Sequence, residues 1–321
     1  MISAGLPLAR PLRLAKRREA AQLGLPTVAL ALMLTLIIAM RPAVFSYFGV
    51  TLLFKLTTPL VFASLAQMLV IMLGDIDLSN GSFVGLISCV VALYLKGAPL
   101  LAGSIIVGVI LAYVGFGLLI YSRSLPSIIV TLGMSFIWLG TAIILLPAPG
   151  GSAPDWLVQF MSWRPPLLPL PIWFAIAAAL AGHFALGRSS YGSVLRGAGA
   201  NPRAVARAGW SLIGIRAAIY AAAAMLMTLA GATLTGLTTS GDPNVAPGYT
   251  LLSVGAVILG GGTFTGGIVS PVGTVIGALT LSLAGSLLSF LQVSPTWQSG
   301  AQGVILLLVL AGRVLVAERV S

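Results

Sequence analysis

The sequence predicts an all-α, polytopic integral membrane protein, on three observations. Of its 321 residues, 58% are hydrophobic and only 7% are charged, against roughly 25% charged in soluble domains. Mean hydropathy is +1.08. Apolar runs of near-spanning length recur from Leu25 onward, separated by short stretches rich in Gly, Pro and Arg. The length suits one membrane domain, residues 1–321, with no separate soluble domain. The net charge of +11 fits basic loops between membrane segments rather than a nucleic-acid surface.

Taken in order, residues 1–24 form a basic tail carrying Arg10, Arg13, Lys16, Arg17 and Arg18. The apolar stretch 25–44 has no A-x-A-like cleavage site before Arg41 and is followed by many more such runs. It therefore reads as a retained membrane helix, not a secretory signal. Further segments are expected at 51–73, 82–95, 100–121, 127–146, 166–187, 211–236, 250–260, 270–291 and 297–316, about ten in all. Segments 82–95 and 250–260 are short, so broken or re-entrant helices are expected there; without both, the count is eight. With the N-terminus inside and every segment crossing once, only Arg41, Lys55, Lys96 and Arg164 of the 17 Lys and Arg residues fall outside. That bias favours cytoplasmic N- and C-termini. The loops 147–166 and 240–248 then lie on the outer face; the second, SGDPNVAPG, is a turn-forming run. No clear internal repeat is visible, and the 38 glycines read mainly as close-packing positions between helices.

Between the second and third segments stands GDIDLSNGS, Gly74 to Ser82, with Asp75 and Asp77, two of only six acidic residues. An acid at the bilayer centre costs at least about 2.5–3.5 kcal/mol on insertion scales. The pair therefore belongs at a water interface or in a functional interior. One reading is structural: Ser79, Asn80 or Ser82 caps the following helix, and the acids complement its dipole. The other is functional: Asp75, Asp77, Ser79, Asn80, Gly81 and Ser82 line or gate a path, or meet a partner on the cytoplasmic side.

Catalytic and metal chemistry finds few residues to use. The lysines are Lys16, Lys55 and Lys96, and none completes a GxxxxGK[ST] phosphate loop. GGGTFTGG, Gly260 to Gly267, reads as a tight cytoplasmic turn. One histidine, His183, and one cysteine, Cys89, leave no basis for a triad, a zinc site or an internal disulfide. The chain is expected to be no enzyme and to bind no cofactor.

The stretch Gly187 to Arg216 holds five arginines and no acid. Asn201 and Pro202 suit a helix N-cap and first position, Ala204 to Ala208 suit one or two turns, and Gly209 suits the stop. A solvated basic connection and a docking helix are both compatible with that pattern.

Gly74 to Ser82 resembles the GGIDLSVGS signature of permease subunits of bacterial ATP-binding-cassette sugar importers, in the branch carrying ribose, xylose and galactose. Asp75 stands where the family has a second glycine, and Asn80 where it has a small apolar residue. Leu125 to Gly133 resembles the family's PSFIVTLG, and Gly248 to Gly261 resembles its GYELDAIAAVVLGG. The run from Gly199 through Asn201, Ala204 and Gly209 resembles its G-x-N-x-x-A-A-x-x-x-G loop. The likeness covers roughly Gln67 to Leu310, in order. It implies a multi-pass protein of the bacterial inner membrane that forms the path for a monosaccharide. The implied partners are a cytosolic ATPase, which binds ATP and Mg, an extracytoplasmic sugar-binding protein, membrane lipid and a second permease subunit, identical or paralogous; no nucleic acid is implied. It also implies that Gly199, Asn201, Pro202, Arg203, Ala204, Arg207 and Gly209 form the segment coupling this chain to the ATPase. Two rivals are an ion-gradient-driven secondary transporter, which places ionisable residues near midplane on broken helices, and a membrane enzyme, which needs a cluster of His, Cys or acids.

Overall fold

The computed structural model describes residues 9–294 and, beyond them, residues 297, 300, 301, 303, 304 and 307. The segment expected at 297–316 lies mostly outside the described residues. In order, the helices are α1 (Ala9–Met40), α2 (Tyr47–Phe54), α3 (Thr57–Met72), α4 (Asn80–Tyr94), α5 (Pro99–Ser122), α6 (Ser127–Leu145), α7 (Asp155–Met161) and α8 (Leu170–Gly182). A π-helical stretch His183–Arg188 prolongs α8, and α9 (Ser190–Ala200), α10 (Pro202–Arg207), α11 (Leu212–Thr238), α12 (Tyr249–Leu259) and α13 (Pro271–Phe290) follow.

Local sequence explains many of these boundaries. Ser46, Ser189, Ser211 and Ser270 each accept the N–H of a glycine three residues on, which caps α2, α9, α11 and α13. Pro99, Pro202 and Pro271 occupy first helical positions, where a missing N–H costs nothing. α3 stops at Gly74, whose φ is +83°. There Gly74 N–H donates to Ile71 O at 2.9 Å and Asp75 N–H to Val70 O at 3.3 Å, the paired bonds of a glycine-terminated helix.

Five helices are long and apolar enough to cross a membrane: α5, α6, α8 with its π-helical continuation, α11 and α13. The bent pair α2 and α3, at 43°, makes a sixth if counted as one span. The described residues thus hold five or six helices of spanning length, against about ten segments expected over the whole chain. The expected first span appears as the short apolar portion Pro26–Met40 of a helix that begins at Ala9, inside the stretch read as a tail. The segments expected at 82–95 and 250–260 are real helices, but their 15 and 11 residues fall short of the about 20 a span needs.

The core is built on α3, where every residue but Leu69 is buried, and on α4, where most are. A helix apolar on all sides and covered on all sides sits at the centre of a bundle. α5 and α6 carry broad exposed apolar faces, among them Leu100, Val107, Leu111, Ile129, Phe136 and Ile144.

α4 and α11 run side by side in one direction. A Cβ on Gly231 would meet Ile87 and the Val84 carbonyl, and Thr235 Oγ1 bonds Ser88 Oγ at 2.9 Å. On that register Gly81 lies level with Thr228, ten residues from the α11 terminus, or roughly 15 Å at 1.5 Å per residue. α4 is therefore a half-length helix starting deep inside. The chain between α11 and α12 makes the complementary descent. Gly241 sits against Ser88 O and Ala92, Pro243 O against Gly85, and Ala246 O against Gly81. α12 then begins where α4 begins, with Gly81 N–H donating to Thr250 Oγ1 at 3.0 Å. The run expected to be an outer loop, 240–248, instead reaches down α4 to its first turn. Two breaks, each followed by a half-length helix, thus approach mid-depth from opposite ends.

Candidate functional site

The break between α3 and α4 is a buried polar junction. Gly74 turns the chain out of α3, and Ile76 and Leu78 then expose backbone N–H groups with no helical partner. α6 satisfies them: Ile76 N–H donates to Ser127 Oγ at 3.1 Å and Leu78 N–H to Thr131 Oγ1 at 3.0 Å. Unpaired backbone groups away from water would be costly, so these two side chains are what lets the irregular segment exist at this depth.

Asp77 is 1% exposed. Its Oδ1 accepts from Ser79 N–H at 2.7 Å and from Ser79 Oγ at 2.6 Å, and its Oδ2 from Tyr113 OH at 2.7 Å. With its amide oriented to satisfy both groups, Gln67 donates to Asp77 O and accepts from Asp77 N–H, each at 3.1 Å. Gln67 is thus the α3 residue that clamps the break. The expected capping by Ser79, Asn80 or Ser82 is not what the start of α4 uses. Ser79 occupies the cap position without a side-chain cap bond and gives its hydroxyl to Asp77. Asn80 donates to Ala63 O at 3.0 Å, tying α4 to the middle of α3. Ser82 is half-buried and Gly81 fully buried. Gly81 has no room for a side chain, since a Cβ would lie 2.3 Å from Ala246 O.

Asp75 lies at the other end of the break. Arg216 Nη1 stands 2.6 Å from its Oδ2, and Tyr220 OH donates to the same oxygen at 3.1 Å. The guanidinium also stacks 4.7 Å over the Tyr121 ring. Both charged side chains are about seven-eighths covered, at 14% and 12% exposure. Tyr113 and Tyr220 lie 5.4 Å apart, so the aromatic pair connects the Asp77 end to the Asp75 end. The acids thus occupy an interior, not an open interface. Arg216 belongs to the second turn of α11, not to a solvated basic loop.

The second predicted group sits beyond the end of α3. Asn201 Oδ1 accepts Ala204 N–H at 3.1 Å, and Pro202 opens the six-residue α10. Gly209, φ +86°, closes it with Gly209 N–H on Ala206 O and Trp210 N–H on Val205 O. Arg203, Ala204, Arg207, Ala208 and Gly209 are exposed, and only Val205 turns inward, against Gly197. Gly199, just before the second group's helix, packs on the end of α3 that leads into the break. A Cβ there would lie 1.8 Å from Met72 O and 2.8 Å from Gly267 N. Gly267 N–H in turn donates to Met72 O at 2.8 Å, and Gly266 packs on Gly74. The last turns of α3 and α9 and the Gly260–Gly267 turn therefore meet backbone to backbone.

Sequence reading missed Arg216, Tyr113, Tyr121, Tyr220, Ser127 and Thr131. The signal for the tyrosines was present: a Tyr in a long apolar run must place its hydroxyl somewhere. Among the described residues no group of His, Cys, Asp and Glu is arranged to hold a metal ion.

Comparison with known proteins gives this geometry its context. The chain is 26% identical over 292 residues to the ribose import permease protein RbsC of Escherichia coli strain K12, covering 88% of this chain and 90% of that one. It is 30% identical over 252 residues to the ribose import permease protein RbsC of Bacillus subtilis strain 168, covering 74% and 76%. It is 28% identical over 194 residues to the L-arabinose transport system permease protein AraH of Escherichia coli strain K12, covering 60% and 58%. No solved structure matches the chain. The family described as the permease component of branched-chain amino acid transport systems matches residues 49–310, which include the acidic break, α10 and both half-length helices, and the chain belongs to that family.

Proposed function

We propose that this chain is the pathway-forming permease subunit of an ATP-driven importer of a monosaccharide, with ribose and arabinose the first substrates to try. The observation that carries the reading is the family match over residues 49–310, joined to relatives named for ribose and arabinose import. The chain itself performs no covalent chemistry; ATP and Mg belong to a cytosolic ATPase partner. An extracytoplasmic binding protein delivers the sugar, and a second permease subunit completes the pathway.

In this reading the protein crosses the bacterial inner membrane an even number of times, with both termini in the cytoplasm, as the bias in Lys and Arg supports. α10 faces the ATPase. Its exposed Arg203, Ala204 and Arg207 offer small residues for close approach flanked by charges for acidic groups. Motion of α10 reaches the break through Gly199, Met72 O and Gly267. The buried Asp77–Tyr113 pair on a broken helix keeps an ion-gradient mechanism as the reading to test against.

Proteoliposomes holding the chain with its cognate ATPase and binding protein decide between them. ATP inside the partner compartment should drive uptake of labelled ribose or arabinose, and an imposed proton or sodium gradient should not. Uptake driven by a gradient without ATP would reverse the assignment.

A further inference from the structure

The descending segment Asp242–Gly248 carries information that the buried break does not. It is non-helical, and its depth is fixed by Gly241 at Ala92, Pro243 at Gly85 and Ala246 at Gly81. Its lower end lies roughly 15 Å from the end of α11, near the middle of an apolar layer about 30 Å thick. One side of it is covered by α4. The other is not: Asn244, Pro247 and Gly248 are exposed, and a methyl built on Gly248 would meet nothing within 4 Å. Irregular backbone at this depth cannot face hydrocarbon, because its polar groups would go unsatisfied. The open side therefore faces water or protein.

A second observation comes from another part of the chain. The α2–α3 span is bent at Lys55 and Leu56, and both are exposed. Lys55 is eight residues from the start of that span, about 12 Å inside it. The two ion pairs among the described residues are Lys96–Asp155 and Asp75–Arg216, and neither uses Lys55. An exposed ammonium within a span also marks a wet interior rather than lipid. The two features adjoin, since Tyr249 OH lies 3.5 Å from Leu56 O and Tyr249 directly follows the descending segment.

We propose that Asp242–Gly248 and the Lys55–Leu56 bend line the passage through which substrate crosses, with Asn244 and Lys55 presenting hydrogen-bonding groups to an uncharged, hydroxyl-rich small molecule. This rests on the permease reading above for the class of substrate. The location rests on depth and exposure alone. The Asn244 amide and the Lys55 ammonium suit a polyol, which needs hydrogen-bonding partners without a counter-ion.

The test uses the full importer in native membranes. Asn244→Cys, Gly248→Cys and Lys55→Cys are made separately in a Cys89→Ser chain, Cys89 being buried. Each is exposed to a charged, membrane-impermeant maleimide in open membrane sheets for the labelling rate and in sealed spheroplasts for the uptake measurement. Val107→Cys, on the exposed apolar face of α5, gives the rate for a site facing lipid. Labelling at two or more of the three sites at least about ten-fold faster than at Val107, with loss of uptake on labelling, is the expected result for a wet passage. Rates no faster than at Val107 would overturn the proposal. So would fast labelling that leaves uptake intact, or spontaneous cross-linking of Asn244→Cys to a second copy without labelling. Three positions on two separate segments protect the test against one variant that fails to insert. Uptake by the unlabelled parent reports on the permease reading separately: a parent that carries neither ribose nor arabinose removes the substrate class and leaves the labelling result standing.

Discussion

Replacing Arg216 by Met should destabilise the protein by an amount that its surroundings set. The guanidinium sits 2.6 Å from Asp75 Oδ2, with the two side chains 14% and 12% exposed. Removing one partner of a buried ion pair typically costs about 3–5 kcal/mol, because the remaining charge is left uncompensated. Asp75 keeps the Tyr220 hydroxyl at 3.1 Å, and a little solvent reaches it, so the lower end applies. A loss of about 3 kcal/mol is a roughly 100-fold shift in the folded-to-unfolded ratio. Asp75→Asn should cost less, since the long Arg216 side chain can still stack on Tyr121 and extend toward the helix end. The decisive variant is the double one. Replacing both partners by uncharged groups leaves no orphan charge, so Asp75→Asn with Arg216→Met should be more stable than Arg216→Met alone. Unfolding of the purified protein in mild detergent, followed by tryptophan fluorescence during titration with a denaturing detergent, measures all three. If the two single losses simply add in the double variant, the charges do not interact and the pairing argument fails. An Arg216→Met protein as stable as its parent would refute it equally.

Asp77→Asn should lower uptake far more than Asp75→Gly, with both proteins inserted, because only Asp77 holds three donors at once; equal losses in a transport assay would contradict this. Gly199→Ala should weaken packing by about 1–3 kcal/mol or more, as an overfilled contact does, since its methyl would fall 1.8 Å from Met72 O; a melting temperature unchanged from the parent would count against the joint described above. Ala204→Trp is exposed and should leave stability unchanged, yet abolish transport and reduce co-purification of the ATPase by about ten-fold or more. Ser190→Trp, exposed in α9 but outside α10, should be tolerated, and normal transport by Ala204→Trp would move the docking site elsewhere. Cysteines at the exposed Ser190 and Ser152 should label from opposite faces of sealed spheroplasts and vesicles; labelling of both from one face would overturn the orientation.

Much of this arrangement was legible in the sequence, and the part that was not has physical reasons. Composition alone gives an all-helical membrane protein. Short-range signals give α10, because Asn201, Pro202 and Gly209 act within nine residues of one another. The break at Gly74 was legible for the same reason. Its partners were not. Arg216 is 141 residues from Asp75, and in sequence it is one more basic residue among five. The descent of residues 241–248 was hidden because Pro, Gly, Asn and Asp read alike in a surface turn and in a segment laid along a buried helix. The correspondence between the two half-length helices escaped notice because it lies in backbone geometry, not in shared residues. The number of spans is hard to read where length decides: residues 80–94 and 249–259 are mostly apolar, but apolarity does not distinguish a crossing helix from a half-length one.

The meeting of Gly199, Met72 O, Gly266 and Gly267 has a mechanical consequence. Side chains between two moving parts act as a soft washer: they change rotamer, and a small displacement on one side is absorbed before it reaches the other. Here the washer is missing. Main chain bears on main chain, and peptide units have neither rotamers to exchange nor volume to yield. In the coupling role proposed above, a push arriving through α9 meets no side chain to absorb it before Gly74, the residue whose left-handed turn starts the break. Enlarging any of these glycines would do more than crowd the joint, because it would insert a compliant element into a rigid linkage. If the chain works in the importer proposed above, such a variant is expected to keep hydrolysing ATP while moving less sugar per ATP, a loss of stroke rather than a loss of fuel.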